Sequence, residues 1–287
     1  MRKIRVGGVP EHFNLPWHLA NEKGLFKDLG IELDWIVYDG GTGAMTKALR
    51  ENQTDLCILL TEGIVSDIVH GNPASIVSKY IETPLVWGIH TGAGNNLSAH
   101  EDIYQKRYAI SRIGSGSHLM AKVDAFYNQV ELEESQFHII KNLNGALTSL
   151  ESLDTDVFYW EKFTTKPYVD KGVLKRIGEY PTPWPCFVIA ATDDILEKNP
   201  ELVKDTLSVI YRMNKDFMDN PNAVKMVSSR YQQKEEDVLE WFGSTMWSTS
   251  NQIAESVIDK VIFTLQKAGV LKEGQTLPFD QIVKPLW

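Results

Sequence analysis

The sequence predicts a two-lobed α/β protein, with mixed, mostly parallel sheets, helices on both sheet faces, and a two-strand hinge between the lobes. Three observations carry this reading. Apolar runs of strand length alternate with stretches of helical spacing, and glycine-rich turns separate them. The strand–helix–strand–helix–strand series occurs twice. Two further extended runs, at residues 83–91 and 185–192, lie where the chain passes from one series to the other. Strands that alternate with helices form parallel sheets whose faces the helices cover.

The first series opens with Ile4-Arg5-Val6 as a strand, ended by Gly7-Gly8-Val9-Pro10. Residues 16–27 carry Trp17, Leu19, Ala20, Leu25 and Phe26 at amphipathic helical spacing, and Gly30 stops the helix. Residues 31–37 alternate like a half-buried strand. The turn Gly40-Gly41-Thr42-Gly43 feeds a helix over 44–50, and Thr54-Asp55 leads into the apolar strand 56–60. The second series repeats the plan, with strands at 108–111, 137–140 and 157–160 and helices at 118–127 and 146–153. A short likeness links the halves. Gly43-Ala44-Met45-Thr46 and Thr54-Asp55-Leu56 match Gly145-Ala146-Leu147-Thr148 and Thr155-Asp156-Val157.

Residues 83–91 and 185–192 are read as two extended crossings that make a hinge. The first lobe is then residues 1–88 with 190–287, and the second is 92–185. After the second crossing the chain is helical. Asp193-Asp194 caps one helix and Asn199-Pro200-Glu201 the next, which runs through Leu202, Val203, Leu207, Ile210 and Phe217. A last helix over 251–268 is expected to pack on the first lobe with its neighbours.

At 287 residues the chain exceeds the usual size of one domain, which is roughly 100–200 residues. Hydrophobic residues make up 43% and charged residues 23%, enough for ordinary cores. The net charge of −9 argues against nucleic acid or an anionic membrane as partner. No run of the roughly 20 apolar residues that a membrane helix needs is present, and Met1 is followed at once by strand. The expected location is cytoplasmic, or periplasmic if a leader has been removed. Cys57 and Cys186 lack metal-ligand spacing; Cys57 reads as a small buried hydrophobe, and a disulfide between the two stays open.

In parallel α/β sheets ligands bind beyond the C-terminal strand ends, where helix N-termini offer unpaired N–H groups. Four turns qualify: Glu11-His12-Phe13-Asn14, Gly41-Thr42-Gly43, Thr61-Glu62-Gly63 and Gly114-Ser115-Gly116-Ser117. The last, preceded by Arg112, joins glycines that admit a ligand to backbone with serine donors at a helix start. The alternative is a plain helix start with serine as N-cap. The glycine turn at 40–43 is a ligand contact or simply a tight connection. Glu161, after Trp160 at the end of a strand, orients a ligand amine or sits in solvent. Trp184 stacks on a flat ligand or packs the hinge. His12 and His118 lie at these turns, but the histidines form no catalytic or metal constellation.

The pattern from Pro16 through Lys23-Gly24-Leu25-Phe26-Lys27-Asp28-Leu29-Gly30, the Thr54-Asp55 pair, and Lys198-Asn199-Pro200-Glu201-Leu202-Val203 resemble one known family. It joins aliphatic-sulfonate-binding receptors to the yeast-type thiamine pyrimidine synthase, and the resemblance spans about residues 4–220. It implies a type-2 periplasmic-binding-protein fold with ligand in an interlobe cleft, touched by the 114–117 turn. The synthase it resembles uses a lysine for pyridoxal phosphate and a sacrificial histidine soon after the strand matching 56–60. Neither residue type occurs between Asp55 and Asp67 here, and of the synthase's cysteine-rich motif only Cys186 remains.

The expectation is therefore a solute-binding protein that closes its cleft on a small polar molecule, without cofactor and more readily a binder than an enzyme. The alternatives are a cytosolic relative of thiamine-precursor enzymes and a ligand sensor with a protein partner the sequence does not name. Glu11, Glu62 and Glu161 against Arg112 favour a ligand with an amine or amino-heterocycle at one end and an acceptor or anion, such as a carboxylate, at the other, over a simple alkanesulfonate.

Overall fold

A computed structural model describes residues 1–286. The chain forms two compact units. The first comprises Met1–Thr83, Pro185–Ile258 and the residues from Thr276 onward; the second comprises Pro84–Trp184 and Asp259–Gln275.

In the first unit β1 (Arg2–Gly8), α1 (Leu15–Glu22), β2 (Ile31–Val37), α2 (Thr42–Arg50), β3 (Leu56–Leu60), α3 (Thr61–Val69) and β4 (Ala74–Ile81) follow one another. In the second come β5 (Val86–Gly92), β6 (Tyr108–Ile110), α4 (Gly116–Tyr127), β7 (Phe137–Ile139), α5 (Leu143–Glu151), β8 (Val157–Glu161), α6 (Lys162–Asp170) and β9 (Leu174–Pro181). The chain then returns to the first unit with β10 (Phe187–Thr192), α7 (Asp193–Lys198), α8 (Pro200–Met218), α9 (Ala223–Tyr231) and α10 (Glu235–Ser244). It ends with α11 (Glu255–Lys267) and α12 (Phe279–Ile282).

Each unit holds one five-stranded sheet, and the two sheets share one plan. Their orders are β2-β1-β3-β10-β4 and β7-β6-β8-β5-β9. In each, the first three strands are parallel, and the fourth runs antiparallel to both of its neighbours. That fourth strand is β10 in the first unit and β5 in the second. These are the runs read from sequence as hinge crossings, and the reading needs correction. Both are interior sheet strands, which explains why they are so apolar: every residue of β10 is buried. The chain passes between the units at 83/84 and 184/185, just ahead of these strands, and again at 258/259 and 275/276.

Other expectations shift in detail. The helix at 16–27 ends at Glu22, because Gly24 adopts a left-handed φ of 74° and turns the chain. Strands β4 and β9 were not anticipated. Thr192, not the aspartate pair, caps α7, its hydroxyl accepting from Ile195 N–H at 3.3 Å. Asp193 instead accepts from Ser75 and pairs with Lys284, both at 2.8 Å. Asn199 makes no side-chain cap to α8; Pro200 alone marks that start. Residues 259–275, expected with the first lobe, belong to the second unit, where Tyr127 and Thr264 hydroxyls meet at 3.3 Å on α11. Cys57 and Cys186 are buried and form no disulfide. Cys57 pairs across from Ala190, which puts Cys186 four residues or about 13 Å along the chain.

The repeated Thr-Asp motif has a structural explanation. Arg5 donates from its backbone N to Asp55 Oδ2 at 2.7 Å and from Nη2 to Oδ1 at 2.6 Å, and Nη1 reaches Asn52 O at 2.9 Å. Arg107 does the same in the second unit, to Asp156 at 3.1 Å from the backbone and 3.0 Å from Nη2, and to Leu153 O at 2.7 Å. Asn52 and Leu153 both have left-handed φ, 54° and 60°. Each arginine immediately precedes the residue that pairs with the start of β3 or β8. The motif therefore fastens the helix-to-strand turn that leads into the central strand, β3 or β8, onto its neighbour β1 or the start of β6, at the sheet end opposite the candidate turns. Asp55→Ala or Asp156→Ala should lower the stability of its own unit by about 1–3 kcal/mol, since backbone and guanidinium donors lose their acceptor. Urea unfolding checks this, and an unchanged midpoint in both variants would remove the latch.

Candidate functional site

In the first unit the ends of β1, β2 and β3 come together. Gly7 and Gly8 close β1 where no side chain fits. A Cβ on Gly7 would lie 2.5 Å from Tyr38, and one on Gly8 would lie 2.6 Å from Trp35 and 2.8 Å from Asn14 Nδ2. The chain then turns through Glu11 into a short 3-10 turn at His12–Asn14. Phe13 O anchors this turn, accepting from Tyr80 OH at 2.7 Å and Trp247 Nε1 at 3.0 Å.

His12 is buried, stacked on Phe13, with its ring 4.1 Å from Trp241. Burial pushes its pKa down to about 3, so it is neutral near pH 7. Asn14 donates from Nδ2 to Val9 O at 2.9 Å, which fixes the amide's orientation. His12 Nε2 and Asn14 Oδ1 are buried without a hydrogen-bond partner among the described residues.

Thr42 joins the other two turns. Its Oγ1 accepts from Leu60 N–H at 3.2 Å, and its methyl would lie 2.4 Å from a Cβ on Gly63. Gly41, with φ 64°, makes the tight entry to α2, and Gly43 O accepts from Thr46 at 3.2 Å. Thr61 is fully buried and its hydroxyl is committed, donating to Pro185 O at 2.6 Å. Glu62 is buried in the first turn of α3, where the helix dipole favours a carboxylate. Trp241 and Tyr231, which flank His12, were invisible in sequence because more than 200 residues separate them from it.

In the second unit the turn after β6 is self-satisfied. Ser115 caps α4, accepting from His118 N and Arg112 N at 3.4 Å and meeting Ser117 Oγ at 3.0 Å. Ser117 Oγ accepts from Ser111 N at 3.1 Å, and Gly114 N donates to His118 Nδ1 at 3.0 Å. Both serine hydroxyls are buried and serve the turn, as the capped-helix reading has it. The N–H groups of Gly116 and Ser117, in the first turn of α4, have no intrahelical acceptor. Arg112 is half-buried, and burial lowers its pKa.

Glu161, Trp160 and Trp184 are all engaged within the second unit. Glu161 neither sits in solvent nor reaches outward. It caps α6, accepting from Phe163 N at 3.1 Å, Thr164 N at 2.6 Å and Thr164 Oγ1 at 2.7 Å. Burial nevertheless raises its pKa. Trp160 stacks on Phe158 at 5.1 Å and packs against the core of Ala109, Ala146, Leu150 and Leu174. Trp184 is buried, its carbonyl accepting from Thr182 Oγ1 at 2.9 Å.

Burial also pushes the Cys57 thiol up, which suppresses its thiolate. Among the described residues no three His, Cys, Asp or Glu side chains are placed to hold a metal ion, and no helix is long and apolar enough to cross a membrane.

Residues 87–180 match the family model described as Ca3427-like PBP. No curated protein matches the chain. Among solved structures, the Candida albicans CA3427 gene product, described as having the generic periplasmic binding protein structural fold, is 27% identical with a TM-score of 0.92, over 99% of this chain and 96% of that one. The alkanesulfonate-binding protein SsuA of Xanthomonas axonopodis pv. citri, bound to MOPS, is 12% identical at TM-score 0.79, covering 98% of each chain. The periplasmic nitrate-binding protein NrtA of Synechocystis PCC 6803 is 13% identical at TM-score 0.72, over 99% of this chain and 86% of that one. The chain has the type-2 periplasmic-binding-protein fold.

Proposed function

We propose that the protein is a solute-binding protein and that strand-end turns of its sheets hold a small polar molecule. The observation that supports this most is the doubled sheet plan, in which the parallel strands of each unit end in helix-opening turns. Such strand ends are where α/β sheets take ligands. The sulfonate- and nitrate-binding relatives in fold make an anionic or acceptor-bearing group a natural partner for the Arg112–Ser117 turn. The first unit contributes a neutral imidazole, a buried amide oxygen and the carboxylates of Glu11 and Glu62, a set that suits a donor-bearing group. With Glu161 committed to α6, the case for a ligand amine rests on these residues alone.

A thermal-shift screen with MOPS, ethanesulfonate, nitrate and an aminopyrimidine tests the proposal, because a ligand of the folded state raises the melting temperature. A saturable rise is expected with at least one probe. Arg112→Ala should weaken an anionic probe by roughly tenfold or more, the worth of one charge-assisted hydrogen bond. A probe that binds equally well to that variant would remove Arg112 from the site.

A further inference from the structure

Behind the Ser115 turn, α4 carries a buried carboxylate. Asp124 is fully buried, and three side chains reach it. His100 Nε2 lies 2.5 Å from Oδ2, the Tyr159 hydroxyl of β8 donates to the same oxygen, and Asn128 Nδ2 donates to Oδ1 at 2.9 Å. His100 sits in the connection between β5 and β6, on a short 3-10 turn, with its side chain 26% exposed. Its Cβ rests over Gly178 of β9, where an added methyl would come within 3.2 Å.

We propose that His100 and Asp124 form a proton-operated latch, which holds the β5–β6 connection against the second unit while His100 is protonated and loosens it when the proton leaves.

Asp124 needs a compensating charge, since a buried carboxylate is costly unless it is paired and hydrogen-bonded. Among the described residues His100 is its one ion-pair partner. The other groups facing the pair are the hydroxyls of Tyr104, Tyr108, Tyr159 and Tyr180, with Glu101 beside His100. Tyr104 OH lies 3.3 Å from His100 Nε2. Burial raises all four phenols, so none ionises at ordinary pH. The exposed edge of His100 gives its proton a route to solvent.

The remaining ties of the connection are indifferent to pH near neutrality. Gln136 Nε2 donates to Tyr104 O at 3.0 Å and to Lys106 O at 2.9 Å, Asn95 Nδ2 donates to Asp156 at 3.1 Å, and Lys175 donates to Asn95 O. The hydrogen bond to Asp124, opposed by burial, raises the pKa of His100. A raised folded pKa means that the latch is at full strength below the unfolded value, about 6.5, and is lost as pH rises through the folded value.

Amide hydrogen exchange across residues 93–107, corrected for the intrinsic pH dependence of exchange, tests this. Protection should fall roughly tenfold between pH 6 and pH 8.5, the difference between a charge-assisted and a neutral hydrogen bond. In His100→Gln it should be low at both values. Protection that does not change with pH in the unaltered protein, or that changes equally in His100→Gln, overturns the latch. Direct NMR titration of His100 in the unaltered protein is independent of any variant's folding. A value above 6.5 supports the latch, and one at or below 6.5 overturns it.

Discussion

Acidification from pH 8 to pH 5 should lower the melting temperature by roughly 10 °C or more, well above the range in which carboxylates usually protonate. Three buried histidines drive the effect. Burial holds His12 at about 3 and His90 and His118 at about 4, with nearby Arg176 and Lys122 adding to the depression of the last two. His18 is also lowered, chiefly by burial. The unfolded chain binds protons on these imidazoles near pH 6.5, while the folded chain leaves them neutral. Stability is therefore present above 6.5 and lost as pH falls toward the folded values. Each of the three contributes a loss of about 2 kcal/mol at pH 5 by linkage. His100 and Glu161, whose folded values are raised, act in the opposite direction and offset part of it. His90 is the informative variant. Its Nε2 meets Thr165 Oγ1 at 2.9 Å and its Nδ1 meets Phe158 O at 3.3 Å, both without charge. His90→Gln should flatten the acid slope of the second unit. Calorimetry at pH 8, 7, 6 and 5 decides the matter, and a flat melting temperature over that range would show the imidazoles to be solvated.

Gly145→Ala should lower the melting temperature of the second unit by roughly 10 °C, although alanine is the better helix former. Gly145 lies in the first turn of α5, its N–H donating to the cap residue Asn142 at 3.0 Å. An added Cβ would lie 1.9 Å from the carbonyl oxygen of Ile140. Ile140 cannot easily retreat, because its N–H is bonded to Ile110 O at 2.8 Å and its oxygen accepts from Asn142 N at 2.9 Å. Propensity would gain up to about 1 kcal/mol, and the backbone overlap costs about 3 kcal/mol. Gly243 in α10 gives the opposite case. It is exposed, and an added Cβ meets nothing within 4 Å. Gly243→Ala should stabilise by up to about 1 kcal/mol. If both variants shift in the same direction, close packing at Gly145 is not what selects glycine there.

The two sheets were legible in the sequence because their parallel strands are short apolar runs, as at 56–60 and 157–161, each led in by a Thr-Asp pair. The doubling was legible through Thr54-Asp55 and Thr155-Asp156, although what repeats there is an arginine–aspartate fastening. The place of β5 and β10 inside the sheets was hidden, since an extended run looks the same at a crossing and in a sheet interior. Side-chain roles were the least legible. Glu161 and Ser115 read as ligand groups, but each has a backbone N–H two or three residues onward, and capping satisfies them locally. The His12–Trp241 contact and the His100–Asp124 pair join residues from distant stretches of chain, and only the fold brings them together.

This fold is proposed to hold a small solute. Native mass spectrometry of the full-length protein, purified from its own host and sprayed under gentle conditions, tests it most directly. A bound small molecule released on collisional activation, and absent from an Arg112→Ala, Asn14→Ala double variant, is the predicted result. A bare protein mass, together with no thermal shift from any probe in the solute panel, would contradict it.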